Sequence, residues 1–190
     1  MAKALGGTFT EFKLSSGISI NPFRMIDEDL AQGDDDYLVD CLAMLKSIIS
    51  QMARNENRLN DTERGLIDQA VNLVWEAEGR DGTVDHIIDA LKQAEHPFAF
   101  DLATSLLPFA SRGTFGRFFL GDANLDLSAD LTVFELSDLA TREELRGVVL
   151  TSIMFIASQV MRRMDRAIPK PLIIDEAWQM LKGGAMADFV

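Results

Sequence analysis

The chain has 190 residues, of which 47% are hydrophobic and 25% are charged. This composition is typical of a globular domain with a real core and excludes a disordered chain. The formal net charge of -12 argues against a broad electrostatic footprint on duplex DNA or anionic lipid. The longest apolar-rich segment, Val148 to Val160, is interrupted by polar side chains. No stretch approaches the length of a membrane span, and we expect no direct membrane insertion.

The single cysteine, Cys41, lies in an apolar stretch with Val39, Leu42 and Leu45. A cysteine in such surroundings behaves as a small hydrophobic residue more often than as a reactive thiol. We therefore predict a core position for Cys41.

The first part of the chain alternates in polarity, which is typical of strands. Residues 8–14 alternate with period two, residues 15–17 have the composition of a turn, and residues 18–20 can return as a second strand. Asn21-Pro22-Phe23 would close this hairpin-like pair, since proline disfavours the helical conformation at the residue before it.

The apolar spacing changes to three and four residues after Asp34, which predicts helices. Acidic or capping residues mark the helix starts, as the positive end of a helix dipole favours. The four predicted helices run from Asp34 to about Met52, from Asn60 towards Gly79, after Thr83, and from Phe98 to Leu107. Together they predict an all-helical insertion at residues 34–110, between core strands at 1–33 and a core segment at 111–190.

The segment 111–121 combines glycines, arginines and aromatic residues. Such a loop suits contact with a planar or anionic ligand. The simpler interpretation, which we favour, is that Phe115, Phe118 and Phe119 anchor the helical insertion to the sheet.

The end of the chain has the pattern of a crossover unit. A strand is predicted at 131–136, a long helix follows from about Leu145 to Arg166, and an apolar strand is predicted at 172–174. A strand, a helix and a strand of these lengths imply a parallel sheet buried on both faces. The predicted fold class is therefore α/β.

Two adjacent carboxylates, Asp175 and Glu176, follow the last predicted strand. Ligands of open parallel sheets bind beyond the carboxyl ends of the strands. There Asp175 is placed to hold Mg²⁺ directly or through water, and Glu176 to orient the water that attacks a γ-phosphate. The pair alone is equally compatible with a solvated strand exit.

The segment Asp175-Glu176-Ala177-Trp178-Gln179-Met180-Leu181 resembles the Walker B segment of TraC-like conjugative and type IV secretion ATPases. Weaker matches occur in the same order along the chain. They are the Gly17 to Phe23 segment, the helical insertion, the Gly113 to Gly121 loop, and the Phe134-Glu135-Leu136 strand before a long helix.

The resemblance implies a partial RecA-like P-loop ATPase core with an all-helical insertion, which uses ATP and Mg²⁺. It makes Asp175 the magnesium-linked acid and Glu176 the catalytic glutamate. It also implies assembly with other subunits of the same ATPase as a homo-hexamer. The intact protein would be cytoplasmic and peripheral, bound to inner-membrane components of a secretion channel. Arg112 and Arg117 could act in trans on a neighbouring subunit's phosphate, although surface pairing is the simpler role.

The sequence departs from this family in one respect, because it contains no Gly-x-x-x-x-Gly-Lys-Ser/Thr loop. We therefore expect a fragment of a longer polypeptide that does not hydrolyse ATP alone. Two alternatives stay open. One is an interaction module in which the helical insertion docks a partner. The other is a RecA-like DNA translocase, which the acidity disfavours.

Overall fold

The computed structural model describes residues 6–54, 59–165 and 167–175. Within these ranges the chain forms two strands and six α-helices. In chain order they are β1 (Thr8–Glu11), α1 (Glu28–Gly33), α2 (Asp35–Ala53), α3 (Asp61–Glu78), α4 (Val84–Gln93), α5 (Pro97–Leu106), β2 (Thr132–Glu135) and α6 (Glu143–Arg163).

The two strands pair in parallel, as the predicted α/β class requires. The register places Thr8 opposite Thr132 and Glu11 opposite Glu135. The Phe12 amide continues the ladder by donating to the Glu135 carbonyl at 3.0 Å. Because the strands run in the same direction, Glu11 and Glu135 end at one edge of the sheet.

The helical region between the strands confirms the four helices predicted from apolar spacing. Asn60 begins α3 with a capping box, in which its side chain accepts from the Glu63 amide and the Glu63 carboxylate accepts from the Asn60 amide. The Thr83 hydroxyl caps α4 in the same position. The short helix α1 was not predicted, since its six residues bury little apolar surface.

The long helix α6 forms the centre of the core and packs against α2. It is long and apolar enough to cross a membrane by length and composition, which corrects the expectation that no stretch approaches that length. Two thirds of its apolar window (67%) is buried inside the protein, as in the core helix of a soluble fold. Gln159 of this helix donates to the sulfur of Cys41 at 3.6 Å. Cys41 is 1% exposed, which confirms its predicted core position.

The predicted hairpin of residues 8–20 does not form. Residues 18–20 belong to no strand, and their polar groups bond to a distant loop instead. The Ile20 amide donates to the Phe118 carbonyl at 2.6 Å, and the Ser19 amide donates to the Asn124 side chain at 2.8 Å. Because β1 pairs with β2 and Ile20 is fully buried, this segment turns inward towards the helices.

The Asn21-Pro22-Phe23 segment attaches this inward turn to the helical region. The Asn21 side chain is 2% exposed, donates to the Gly82 carbonyl at 3.2 Å, and accepts from the Phe23 amide at 3.1 Å. Gly82 lies in the turn between α3 and α4. The segment therefore joins the part of the chain after β1 to the turn between α3 and α4, instead of closing a hairpin.

Candidate functional site

Charged side chains follow both strands at the carboxyl edge of the sheet. Lys13, two residues after β1, pairs with Glu11 at 2.7 Å and approaches Asp138, which follows β2, at 3.9 Å. The hydrogen bond to Glu11 raises the pKa of Lys13. This cation therefore stays charged between two carboxylates, one from each side of the strand pair.

Glu135 completes this edge of the sheet. Its carboxylate accepts from the Ser137 amide at 2.9 Å, and the hydrogen bonds from Ser137 lower the pKa of Glu135. The sequence prediction missed Glu11, Lys13, Glu135 and Asp138. Sequence patterning gave little signal for them, because β1 ends at Glu11 and β2 at Glu135, inside the longer strands predicted at 8–14 and 131–136.

The predicted magnesium ligand, Asp175, follows a residue that packs close to the end of β2. Ile174 and Leu136 both pack against a small cluster formed by Leu150 and Met154 of α6. Leu136 is the first residue after β2. The packing therefore brings the chain at Ile174 to the same part of α6 that contacts the exit of β2. Asp175 itself is exposed.

The strand predicted at 172–174 does not form in the described residues. This segment is neither helix nor strand, and Leu172 and Ile173 are 50% and 87% exposed. A strand needs a neighbouring strand to satisfy its amides and carbonyls. In the described part of the chain β1 and β2 bond to each other, and neither pairs with residues 172–174.

The second predicted carboxylate, Glu176, lies outside the described residues, as does Trp178. The roles assigned to them from sequence stay predictions.

The two arginines predicted as trans-acting candidates differ in their contacts. Both are exposed. Arg117 donates to the carbonyl of Leu14, which places it beside the segment that follows β1. This bond gives Arg117 a structural role within its own chain. Arg112 lies in a turn, and its side chain makes no hydrogen bond or ion pair within the described residues.

The aromatic residues of segment 111–121 anchor the helices to the sheet, as the favoured interpretation predicted. Phe118 is fully buried and stacks on Phe12 after β1, with ring centroids 6.5 Å apart. Phe119 meets Phe109, at the end of the helical region, at 5.7 Å. Neighbouring Phe115 also contacts Phe109, at 5.4 Å.

The chemistry of the predicted ligand, Asp175, is compatible with Mg²⁺ that is bound together with a nucleotide. The described residues contain no group of three or more side chains able to hold a metal ion. Mg²⁺ in nucleotide sites takes one or two carboxylates and fills its remaining positions with water and phosphate oxygens. An exposed Asp175 meets that requirement.

Parallel strands connected through helices place the chain in the α/β class, in which ligands bind beyond the carboxyl ends of the strands. Comparison with known sequences agrees with this class. The sequence model of the TraG P-loop domain family matches residues 1–190. The chain belongs to the TraG P-loop domain family.

One relative and one solved structure are similar to this chain. Protein TraC of Escherichia coli (strain K12) is 25% identical over 204 residues, which cover 100% of this chain and 22% of TraC. The structure of VirB4 of Thermoanaerobacter pseudethanolicus superposes with a TM-score of 0.73 at 23% identity, covering 95% of this chain and 50% of that chain. The latter likeness confirms the fold. The chain thus spans about a fifth of TraC and half of VirB4.

Proposed function

We propose that this chain is part of a motor ATPase of conjugation or type IV secretion, in which ATP hydrolysis drives pilus assembly or substrate transfer. The observation that carries the proposal is the match of a P-loop family to all 190 residues. Similarity to TraC and to VirB4 supports the same conclusion.

In this proposal Asp175 holds Mg²⁺ directly or through water, and Glu176 orients the attacking water. The packing of Ile174 against the same α6 residues as Leu136, the first residue after β2, supports the first assignment, because it brings the chain that precedes Asp175 near the exit of β2. Bound ATP and Mg²⁺ would supply the transferable phosphoryl group and neutralise its oxygens. The protein's part is then to align water and stabilise charge.

The 190 residues include no phosphate-binding loop of the Gly-x-x-x-x-Gly-Lys-Ser/Thr type. We infer that such a loop must be supplied from outside these residues. The chain alone therefore does not hydrolyse ATP.

The proposed assembly is a homo-hexamer at the cytoplasmic face of the inner membrane, in contact with components of the secretion channel. Arg112 is the better candidate for a trans-acting arginine, since Arg117 is bonded to Leu14 within its own chain. The net charge of -12 argues against direct DNA binding by this region. It equally disfavours the alternative of a DNA translocase.

The proposal is tested in a protein that contains this chain together with a phosphate-binding loop. Glu176→Gln should abolish ATP hydrolysis and leave nucleotide binding nearly unchanged, because the amide cannot polarise the attacking water. Asp175→Asn should weaken binding of the Mg²⁺ complex of ATP. Asp130→Asn is the matched control, since this exposed carboxylate precedes β2 at the opposite edge of the sheet. Unchanged turnover in Glu176→Gln would remove Glu176 from the mechanism.

A further inference from the structure

A shallow, mostly apolar groove lies between α3 and α4. It has a volume of about 190 Å³. Leu66, Ala70 and Leu73 line it from α3, and Ala90, Leu91 and Ala94 line it from α4. The remaining lining residues are Gln69 of α3 and Gln93 of α4, and Ala94 is the residue that directly follows α4.

The spacing of the lining residues continues along each helix. Leu66, Ala70 and Leu73 stand four and three residues apart, which places them on one face of α3. Leu73 is 48% exposed although it lies in an apolar strip. The facing residues of α4 include the small side chains of Ala90 and Ala94, and small residues allow another backbone to approach closely.

The surroundings of the groove are acidic. Glu76 lies one turn after Leu73 on α3, and Asp89 lies one turn before Gln93, another lining residue, on α4. Both carboxylates belong to exposed residues. Asp89 approaches Lys92 at only 4.0 Å, and no ion pair of Glu76 is found within the described residues. The whole helical region, residues 34–110, contains 15 acidic and 6 basic residues.

We propose that the α3–α4 groove docks a basic amphipathic helix of another protein. The aliphatic side chains of that helix would enter between Leu66, Leu73 and Ala90, and its lysines or arginines would face Glu76 and Asp89. Recognition of this kind combines an apolar face in a groove with charge complementarity around it.

Other classes of ligand fit the groove less well. Small-molecule sites have volumes of about 300–1,000 Å³ and converging polar groups. This groove is smaller, and six of its eight lining residues are aliphatic, the other two being Gln69 and Gln93. The acidic surroundings repel the phosphates of nucleic acids and the headgroups of anionic lipids. A basic amphipathic helix can cover the apolar strip with its aliphatic side chains and pair its cations with the surrounding carboxylates.

The experiment measures fluorescence anisotropy of a labelled synthetic helical peptide added to the whole chain. The peptide has leucines at positions i, i+3 and i+7 and lysines on its other face. A matched peptide carries glutamates in place of the lysines. We expect the lysine peptide to bind, its affinity to fall with added salt, and the glutamate peptide not to bind.

Two groove variants and two matched controls define the site. Leu73→Asp, and the double variant Glu76→Lys with Asp89→Lys, should each weaken binding by about tenfold or more. Val39→Asp introduces the same charge at another exposed aliphatic residue, which is 65% exposed on α2. Asp68→Lys reverses a charge on the far side of α3. Both controls should bind as the parent chain does, with circular dichroism confirming that every variant is folded.

Equal binding by groove variants and controls would overturn the proposal, and so would equal binding of the two peptides. Self-association that Leu73→Asp abolishes, seen by sedimentation velocity, would assign the groove to a second copy of the chain and overturn it too. The assay needs no nucleotide. Its failure is therefore distinguishable from failure of the proposed ATPase function.

Discussion

The backbone of Gly82 lies directly against the ring of Phe23. A Cβ atom at Gly82 would stand 2.4 Å from the Phe23 Cδ1 atom, well inside van der Waals contact. Phe23 is itself fully buried. The turn between α3 and α4 is thereby closed onto the segment that follows β1, so the helical region and the sheet share one packed junction.

The substitution Gly82→Ala should destabilise the chain by about 1–3 kcal/mol, because the added methyl group forces the Phe23 ring out of its place. Urea unfolding followed by circular dichroism measures the change. Gly65→Ala is the matched control. Gly65 lies inside α3 with no atom within 4 Å of a Cβ, so alanine should stabilise that helix by about 0.5–1 kcal/mol. An unchanged free energy of unfolding in Gly82→Ala would show that the Phe23 ring can move aside at little cost.

Phe118→Ala should cost about 3–5 kcal/mol, since it leaves a cavity between Phe12 and the helical region. Phe100→Ala removes the same side chain from a residue that is 50% exposed and should cost far less. Differential scanning calorimetry compares the two melting temperatures. Equal shifts would contradict the anchoring role of Phe118.

Alkaline pH should destabilise the fold through Tyr37. Burial raises the pKa of this phenol to about 12, and its hydroxyl accepts from the Asp27 amide at 3.0 Å. The pKa of the folded state therefore exceeds that of the unfolded state, which is about 10. The stabilisation is complete below about pH 10 and is lost as the pH rises towards 12.

The measurement is the free energy of unfolding between about pH 9 and 12 for the parent chain and for Tyr37→Phe. The parent should lose stability more steeply. Burial also raises the pKa of the neighbouring Cys41 thiol, so its contribution has the same sign and is present in both proteins. The chain has a single tyrosine, which lets the ultraviolet absorbance of tyrosinate report Tyr37 alone. Titration of that absorbance with a midpoint near pH 10 in the folded chain would contradict the prediction.

Substitution of Arg112 and of Arg117 by alanine should have different effects on stability and on turnover. Arg117→Ala removes the bond to the Leu14 carbonyl and should lower the melting temperature of the isolated chain. Arg112→Ala should leave that temperature unchanged. If Arg112 acts in trans in the assembled ATPase, mixing Arg112→Ala subunits with parent subunits should lower turnover by more than the fraction of variant subunits. A strictly proportional loss would argue against action across the subunit interface.

The sequence predicted the helices well because each buries one apolar face, a pattern that local spacing records. The capping residues Asn60 and Thr83 fixed two helix starts within a residue. The predicted hairpin was wrong because no local pattern in the sequence indicates that the Ile20 amide bonds to the distant Phe118 carbonyl. The glycines of segment 111–121 were equally hard to interpret. A Cβ at Gly116 would lie 2.0 Å from the Ala110 carbonyl oxygen, so this glycine serves close backbone packing.

The candidate site was predictable only in part. The adjacent carboxylates at 175 and 176 stand out because an apolar run precedes them. The Glu11, Lys13 and Asp138 cluster requires the pairing of β1 with β2, which joins residues far apart in sequence. In the sequence, charged residues near two separate strands do not indicate a site, because only the pairing of the strands shows that they lie together.

The pairing of β1 with β2 also bears on how the chain folds. The hydroxyls of Thr8 and Thr132, 3.1 Å apart, belong to residues separated by 124 positions. Closing so long a loop costs entropy that only a later gain in contacts can offset. Helices α3, α4 and α5 follow one another closely and contact their neighbours, so they can form early from local interactions. We therefore expect the helical region to form first and the pairing of β1 with β2 to be completed last.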